Sequence, residues 1–306
     1  MTAPGTVLFY AAGGGLGHLA RTFAIAAALP TPSLPARILC TSDLAHLARD
    51  AAPAPLDRPD DAVLASRTRY WRYVTDYLDE HDVRMIVLDA FPWGIVGEWA
   101  VLGRMIPRVL VARSLRWDAY RSRAAADADA PVPRAALALE PLAPDYRRML
   151  AEWGELTDLP DPILPANTAH HDQSRPAPLQ ERMLAIHSGN AAEQEELLQF
   201  ARHSCLDAGR PDMPVDTLFP DRHTFPATGL MRTYRFIAAG CGYNMAAAAR
   251  RALPGQEFFL HPFERRFDDQ RARLRNLRTG LWRGGAENGA HAAACWVAHH
   301  ALMALK

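Results

Sequence analysis

The chain has 306 residues, with 34 Lys and Arg against 34 Asp and Glu and a formal net charge of 0. With 49% hydrophobic and 22% charged residues it can build a core, which argues against intrinsic disorder. The even balance also argues against nucleic acid as the main partner, because phosphate backbones select clustered Lys and Arg. At roughly 100–200 residues per domain, the length predicts two lobes. Apolar runs such as 23–29 fall far short of the ~20 residues of a membrane span. The N-terminal residues show no basic segment ahead of an apolar core, as a signal peptide would. Cys40, Cys205, Cys241 and Cys295 are scattered without a CxxC pair. The expectation is a cytoplasmic protein with no disulfide framework and no metal site.

In chain order, short aliphatic runs alternate with Ala-rich helical stretches, the pattern of α/β proteins with parallel sheets. A strand at 7–10 breaks at Gly13-Gly14-Gly15-Leu16-Gly17, and a helix at about 18–29 has Leu19, Phe23 and Ala26 on one face. Strands are expected at 37–40, 85–88, 108–111 and 135–139, with an amphipathic segment at about 63–78. An Ala/Asp/Pro-rich loop covers 124–133, and a polar, Pro-containing stretch at 170–180 reads as a linker. The pattern then restarts: strands at 182–186, 215–219, 236–238 and 258–260, and helices at about 192–203 and 246–251. A helix bearing Leu274, Leu277 and Leu281 follows, then a last one at 290–305. The expected lobes are 1–172 and 181–306, the second shorter and ending in that helix.

Several strand ends carry chemistry. Glycines at 13–17 permit close approach to a ligand, and His18 stands at the loop's exit. The spacing is not the GxGxxG of dinucleotide binding, and no acidic strand end supports nicotinamide. Asp89 ends the strand at 85–88. A carboxylate beside a histidine orients the ring and stabilises the imidazolium, as deprotonation of a hydroxyl requires. The bland alternative is that Asp89 caps a helix after Pro92. Arg113 and Arg116 follow another strand end and suit an anionic group. Ser188-Gly189-Asn190 precedes a helix and suits a diphosphate, although Glu193, Glu195 and Glu196 in its first turns would repel one. His187 stands at the end of the preceding strand. Gly240-Cys241-Gly242-Tyr243-Asn244 is a second glycine loop, and 263–270 supplies Arg266, carboxylates and an amide. Trp93 and Trp99 are expected in or beside an interlobe cleft. The pairs His170-His171 and His299-His300 lack further ligands at metal spacing.

Four segments together resemble GT-B glycosyltransferases of the MurG and UDP-glycosyltransferase type, in order and spacing from about residue 6 to 280. FYAAGGGLGHLART resembles that superfamily's first loop, which implies His18 as the catalytic base. IVLDAFPWGIVGE resembles the segment holding the base's carboxylate partner, which implies Asp89. AAGCGYN resembles the donor-side loop, implying donor contacts from Gly240, Gly242, Tyr243 and Asn244, alongside Gly15, Gly17, Ser188, Gly189 and Asn190. HPFERRFDDQRAR resembles the stretch whose Asp-Gln pair holds the donor sugar, here Asp269 and Gln270. One position departs: the glutamate that normally binds the donor ribose is replaced by Ala248. Loss of such a charge-assisted hydrogen bond removes about 1.5–3 kcal/mol.

The resemblance implies an inverting, metal-independent transfer of sugar from a nucleotide-diphosphate sugar to a hydroxyl acceptor, the nucleotide-sugar being substrate and no cofactor being needed. Hydrolysis of a nucleotide-sugar, and ligand binding without turnover, are the alternatives. No nucleic-acid partner and no transmembrane segment are expected. Peripheral membrane contact, the acceptor and the oligomeric state stay open.

Overall fold

Strands covered on both faces must be apolar throughout, and the runs read from the sequence become such strands in two parallel sheets. The computed structural model describes residues 5–30, 34–102, 106–124, 130–164, 178–220, 225–282 and 287–304. The first sheet contains β1 (Thr6–Ala11), β2 (Ala36–Cys40), β3 (Leu56–Asp57), β4 (Val83–Asp89), β5 (Arg108–Ala112), β6 (Ala135–Ala138) and β7 (Glu155–Asp158). Its order is β3-β2-β1-β4-β5-β6-β7, every adjacent pair being parallel. The second contains β8 (Gln180–Ile186), β9 (Val215–Leu218), β10 (Tyr234–Gly240) and β11 (Glu257–His261), in the order β11-β10-β8-β9, again parallel. The protein is thus α/β, with two Rossmann-like lobes and the smaller sheet in the second.

The differences from expectation have local causes. β3 has two residues, and β7 reads Glu-Leu-Thr-Asp without a buried residue, so neither edge strand carries an apolar run. The segment expected at 63–78 divides into helices Asp61–Leu64 and Arg67–Glu80, because the Ser66 hydroxyl caps the second by accepting from the Arg69 N–H at 3.4 Å. Leu281 falls beyond the Gln270–Arg278 helix and is exposed. Most of the expected linker, 170–177, lies outside the described residues, as do His170-His171, 125–129 of the expected loop and residue 305. Among the described residues no helix is long and apolar enough to cross a membrane.

The Ala290–Ala304 helix, expected with the second lobe, packs on the Leu16–Ala27 helix and β4 of the first. Ala293, Ala294, Val297 and Ala301 are buried on it, and such small side chains allow close approach. Polar contacts also join the lobes. Arg273, wholly buried, donates to Glu140 at 2.7 and 2.8 Å and to Asp268 at 2.7 and 3.1 Å. Asp161 accepts from the Tyr243 hydroxyl at 2.9 Å, Arg250 at 2.7 Å and Arg251 at 2.6 Å. Removing one partner of a buried ion pair costs about 3–5 kcal/mol, so these contacts hold the lobes in register.

Candidate active site

Ligands of open parallel sheets bind beyond the carboxyl ends of the strands. Residues following β1, β4, β5, β8, β9 and β10 line a cleft of about 760 Å³ between the lobes. Ligand pockets commonly measure about 300–1,000 Å³.

His18 and Asp89 meet at this cleft. His18 is the third residue of the Leu16–Ala27 helix, and Asp89 ends β4. His18 Nδ1 lies 2.6 Å from Asp89 Oδ2. A carboxylate accepts, so Nδ1 carries the hydrogen and Nε2 keeps its lone pair. Phe91 stacks on the imidazole at 5.8 Å. Gly13 makes this seat possible: a Cβ there would lie 2.5 Å from His18 Cδ2, and the residue's φ is +149°. After Asp89 the chain turns sharply, with Ala90 left-handed at φ 70°. Asp89 therefore caps no helix after Pro92; its carboxylate is committed to side chains.

Arg21, not expected from the sequence, completes the arrangement. Its guanidinium donates from Nε to Asp89 Oδ1 at 2.8 Å and from Nη2 to both carboxylate oxygens at 2.6 Å. It is 1% exposed, lies 4.7 Å over the Tyr243 ring and reaches Asn244 Oδ1 at 3.4 Å. The signal was its spacing, one helical turn after His18 and hence on the same face. Burial alone would raise the Asp89 pKa, but Arg21, His18 and Arg113 overcome it and hold the carboxyl well below the usual range. For His18, burial lowers the pKa, Asp89 pulls it up, and Arg113 and Arg21 push it down again. The net shift is downward, so the imidazole is neutral at pH 7 and its Nε2 is a base.

The expected donor-side residues divide. Gly15, Gly17, Ser188, Gly189, Asn190, Gly240 and Gly242 all line the cleft. Asn190 also caps the Ala191–Asp207 helix, accepting from the Glu193 N–H at 3.0 Å. Asn244 lines the cleft, yet its Nδ2 donates across the lobes to the Gly17 carbonyl at 3.1 Å. The Tyr243 hydroxyl is turned to Asp161. Asp269 is absent from the lining, and its carboxylate caps the Gln270–Arg278 helix by accepting from the Ala272 N–H at 2.9 Å. Its neighbour Asp268 lines the cleft instead, bonded to Arg273. Gln270 lines it too, although its Oε1 accepts from the Phe263 N–H at 3.1 Å.

Glu193 does not confront the cleft as a bare anion. Arg265 donates to it at 2.7 Å, His187 Nε2 lies 2.8 Å away, and these contacts, Arg265 first, lower its pKa. Arg266 is an exposed rim residue over the Phe267 ring at 5.2 Å, and Arg113 lines the cleft as a buried side chain. Arg116 instead pairs with Glu264 across the lobes at 2.6 Å. Ala248 lines the wall, presenting a methyl group where the resemblance implies a carboxylate. Trp93 and Trp99 do not line the cleft: Trp99 is fully buried against Tyr10, and Trp93 packs with Trp117, Trp153 and Tyr120. Among the described residues no group of three His, Cys, Asp or Glu side chains is placed to hold a metal ion.

No protein-family model and no curated protein matches the chain. Solved structures do. UDP-GlcNAc 2-epimerase from Neisseria meningitidis, bound to UDP-GlcNAc, is similar with a TM-score of 0.61 and 12% identity, over 97% of this chain and 100% of that one. The glycosyltransferase of kitacinnamycin gives 0.54 and 14%, over 100% and 95%. The spinosyn rhamnosyltransferase complexed with thymidine diphosphate gives 0.52 and 14%, over 97% and 96%. At these identities the likeness establishes the fold: this chain has the GT-B architecture.

Proposed function

We propose that the protein is a glycosyltransferase that moves a sugar from a nucleotide-diphosphate donor to a hydroxyl acceptor with inversion and without a metal. The observation that carries the reading is the His18–Asp89 hydrogen bond at the interlobe cleft of a GT-B fold. The acceptor oxygen attacks the anomeric carbon and its proton passes to His18 Nε2. The bond from that carbon to the diphosphate breaks, its electron pair leaving on the diphosphate oxygen, and one displacement inverts the centre. Asp89 stabilises the imidazolium that forms.

The donor side is supported by chemistry of the second lobe. Ser188–Asn190 opens a 17-residue helix, whose free N–H groups and dipole suit a diphosphate. Ile186, Pro220, Pro226, Met231 and Ala247 form an apolar wall suited to a flat base. Two structural neighbours are complexes with UDP-GlcNAc and thymidine diphosphate, which makes these nucleotides the first to try.

Calorimetric titration with UDP-, TDP- and GDP-sugars, followed by NMR of the bound donor with a panel of hydroxyl acceptors, tests the reading. At least one donor is expected to bind and to yield a product of inverted anomeric configuration. Free sugar without acceptor would establish hydrolysis, a C2-epimerised donor would establish epimerisation, and binding of none would leave a protein without donor chemistry.

A further inference from the structure

Among the cleft arginines, Arg113 stands apart. Arg21 has Asp89, Arg265 has Glu193, and Arg266 is exposed to solvent, while Arg273, behind the lining, has Glu140 with Asp268. Arg113 is 6% exposed and lines the cleft, and its Nε has no hydrogen-bond partner. Among the described residues it forms no ion pair: Asp89 and Asp268 attract it from a distance, but both are already bonded, to His18 with Arg21 and to Arg273. Burial and the charges of Arg21 and Arg273 all oppose its charged form. A guanidinium remains protonated in proteins, so the desolvation it suffers here is offset only by the distant attraction of Asp89 and Asp268, and no carboxylate among the described residues bonds it.

The site is built rather than loose. Arg113 follows β5 directly, and β5 pairs Val111 with Asp89, so Arg113 lies two residues beyond the register partner of the carboxylate that orients His18. The next two residues are pinned: the Ser114 N–H donates to Glu140 at 2.8 Å, and Leu115 bridges to Asp268. Phe91, Ile95 and Phe267 add apolar surface to the cleft lining. The side chain thus belongs to the first lobe and the His18 side, whereas the diphosphate cradle of Ser188–Asn190 belongs to the second.

We propose that Arg113 anchors an oxyanion of the acceptor, so that the acceptor is a hydroxylated carboxylate or phosphate ester with an apolar body. The word acceptor rests on the transferase reading; the anion site does not. A bidentate contact from a planar guanidinium suits either oxyanion.

The test uses inorganic phosphate and acetate as probes, titrated calorimetrically into wild type, Arg113→Met and Arg113→Lys, with and without UDP or thymidine diphosphate. Phosphate, acetate or both are expected to bind wild type, to weaken at least about tenfold in Arg113→Met, and to recover in part in Arg113→Lys. Binding is expected to persist when the nucleotide is saturating. Arg113→Met is expected to keep or raise the melting temperature, since it removes a lone buried charge. Undiminished binding to Arg113→Met, or binding of neither probe to wild type, would overturn the proposal. So would complete displacement by the nucleotide, which would give Arg113 to the donor, or a lower melting temperature in Arg113→Met, which would make its role structural. If no nucleotide binds, the transferase reading falls while the phosphate titration still decides the anion site.

Discussion

Replacing Arg21 and Asp89 singly and together separates the stability of their pair from its chemistry. Arg21→Met leaves the Asp89 carboxylate with His18 as its bonded partner and no buried cation bonded to it, and Asp89→Leu strands a guanidinium and removes the partner of His18 Nδ1. The side chains are 1% and 5% exposed and share contacts of 2.6, 2.6 and 2.8 Å, so solvent screens little of the loss. Each single change is expected to cost about 3–5 kcal/mol, the usual penalty for leaving a buried charge without its partner. The double variant places Met beside Leu and should cost far less than the sum, giving a coupling of about 3 kcal/mol where independent sites add within ~0.5. Urea unfolding followed by tryptophan fluorescence reports mainly on the first lobe, which holds Trp71, Trp93, Trp99, Trp117 and Trp153 of the seven tryptophans. The double variant should be folded and inactive. Additivity within ~0.5 kcal/mol, or Arg21→Met costing under ~1 kcal/mol, would refute the reasoning.

Two further outcomes follow from the same site. The His18 pKa is depressed, so kcat/KM should fall on the acid side with a midpoint below the ordinary imidazole value of about 6.5; an acid limb centred above it would contradict the assignment. The stability sign agrees: the folded state binds the His18 proton less readily, so this contribution is complete above the unfolded pKa and is lost as pH falls through the folded one, measurable by denaturant titration across that window. Gly13→Ala puts a methyl group 2.5–2.6 Å from the His18 ring at φ +149°, and should cut kcat while leaving nucleotide affinity in place. Wild-type kcat in that variant would show that the ring need not sit where it does.

The sequence discloses the parts of the site that lie at strand ends and little of what binds them together. The glycines, His18 and Asp89 are legible because a buried strand, a breaker and a helix follow one another in a short span, and the structure brings the pair within 2.6 Å. Arg21 is harder to read, since an arginine in an amphipathic helix ordinarily faces water. Only the fold buries it beneath Asn244 and Tyr243 of the other lobe. The Asp268–Asp269 pair shows a different limit: which of two adjacent carboxylates caps the helix and which meets the cleft is set by backbone direction. Glu140 and Asp161 stand 133 and 82 residues from their partners Arg273 and Tyr243, a pairing no local pattern encodes.

His18→Ala, with nucleotide-sugar affinity and single-turnover sugar transfer measured on the same preparation, tests the central proposal most directly. A general base contributes about 10²–10⁴-fold to rate. The expected result is donor affinity close to wild type and transfer slowed by about that factor. Transfer at the wild-type rate would contradict the role assigned to the His18–Asp89 pair.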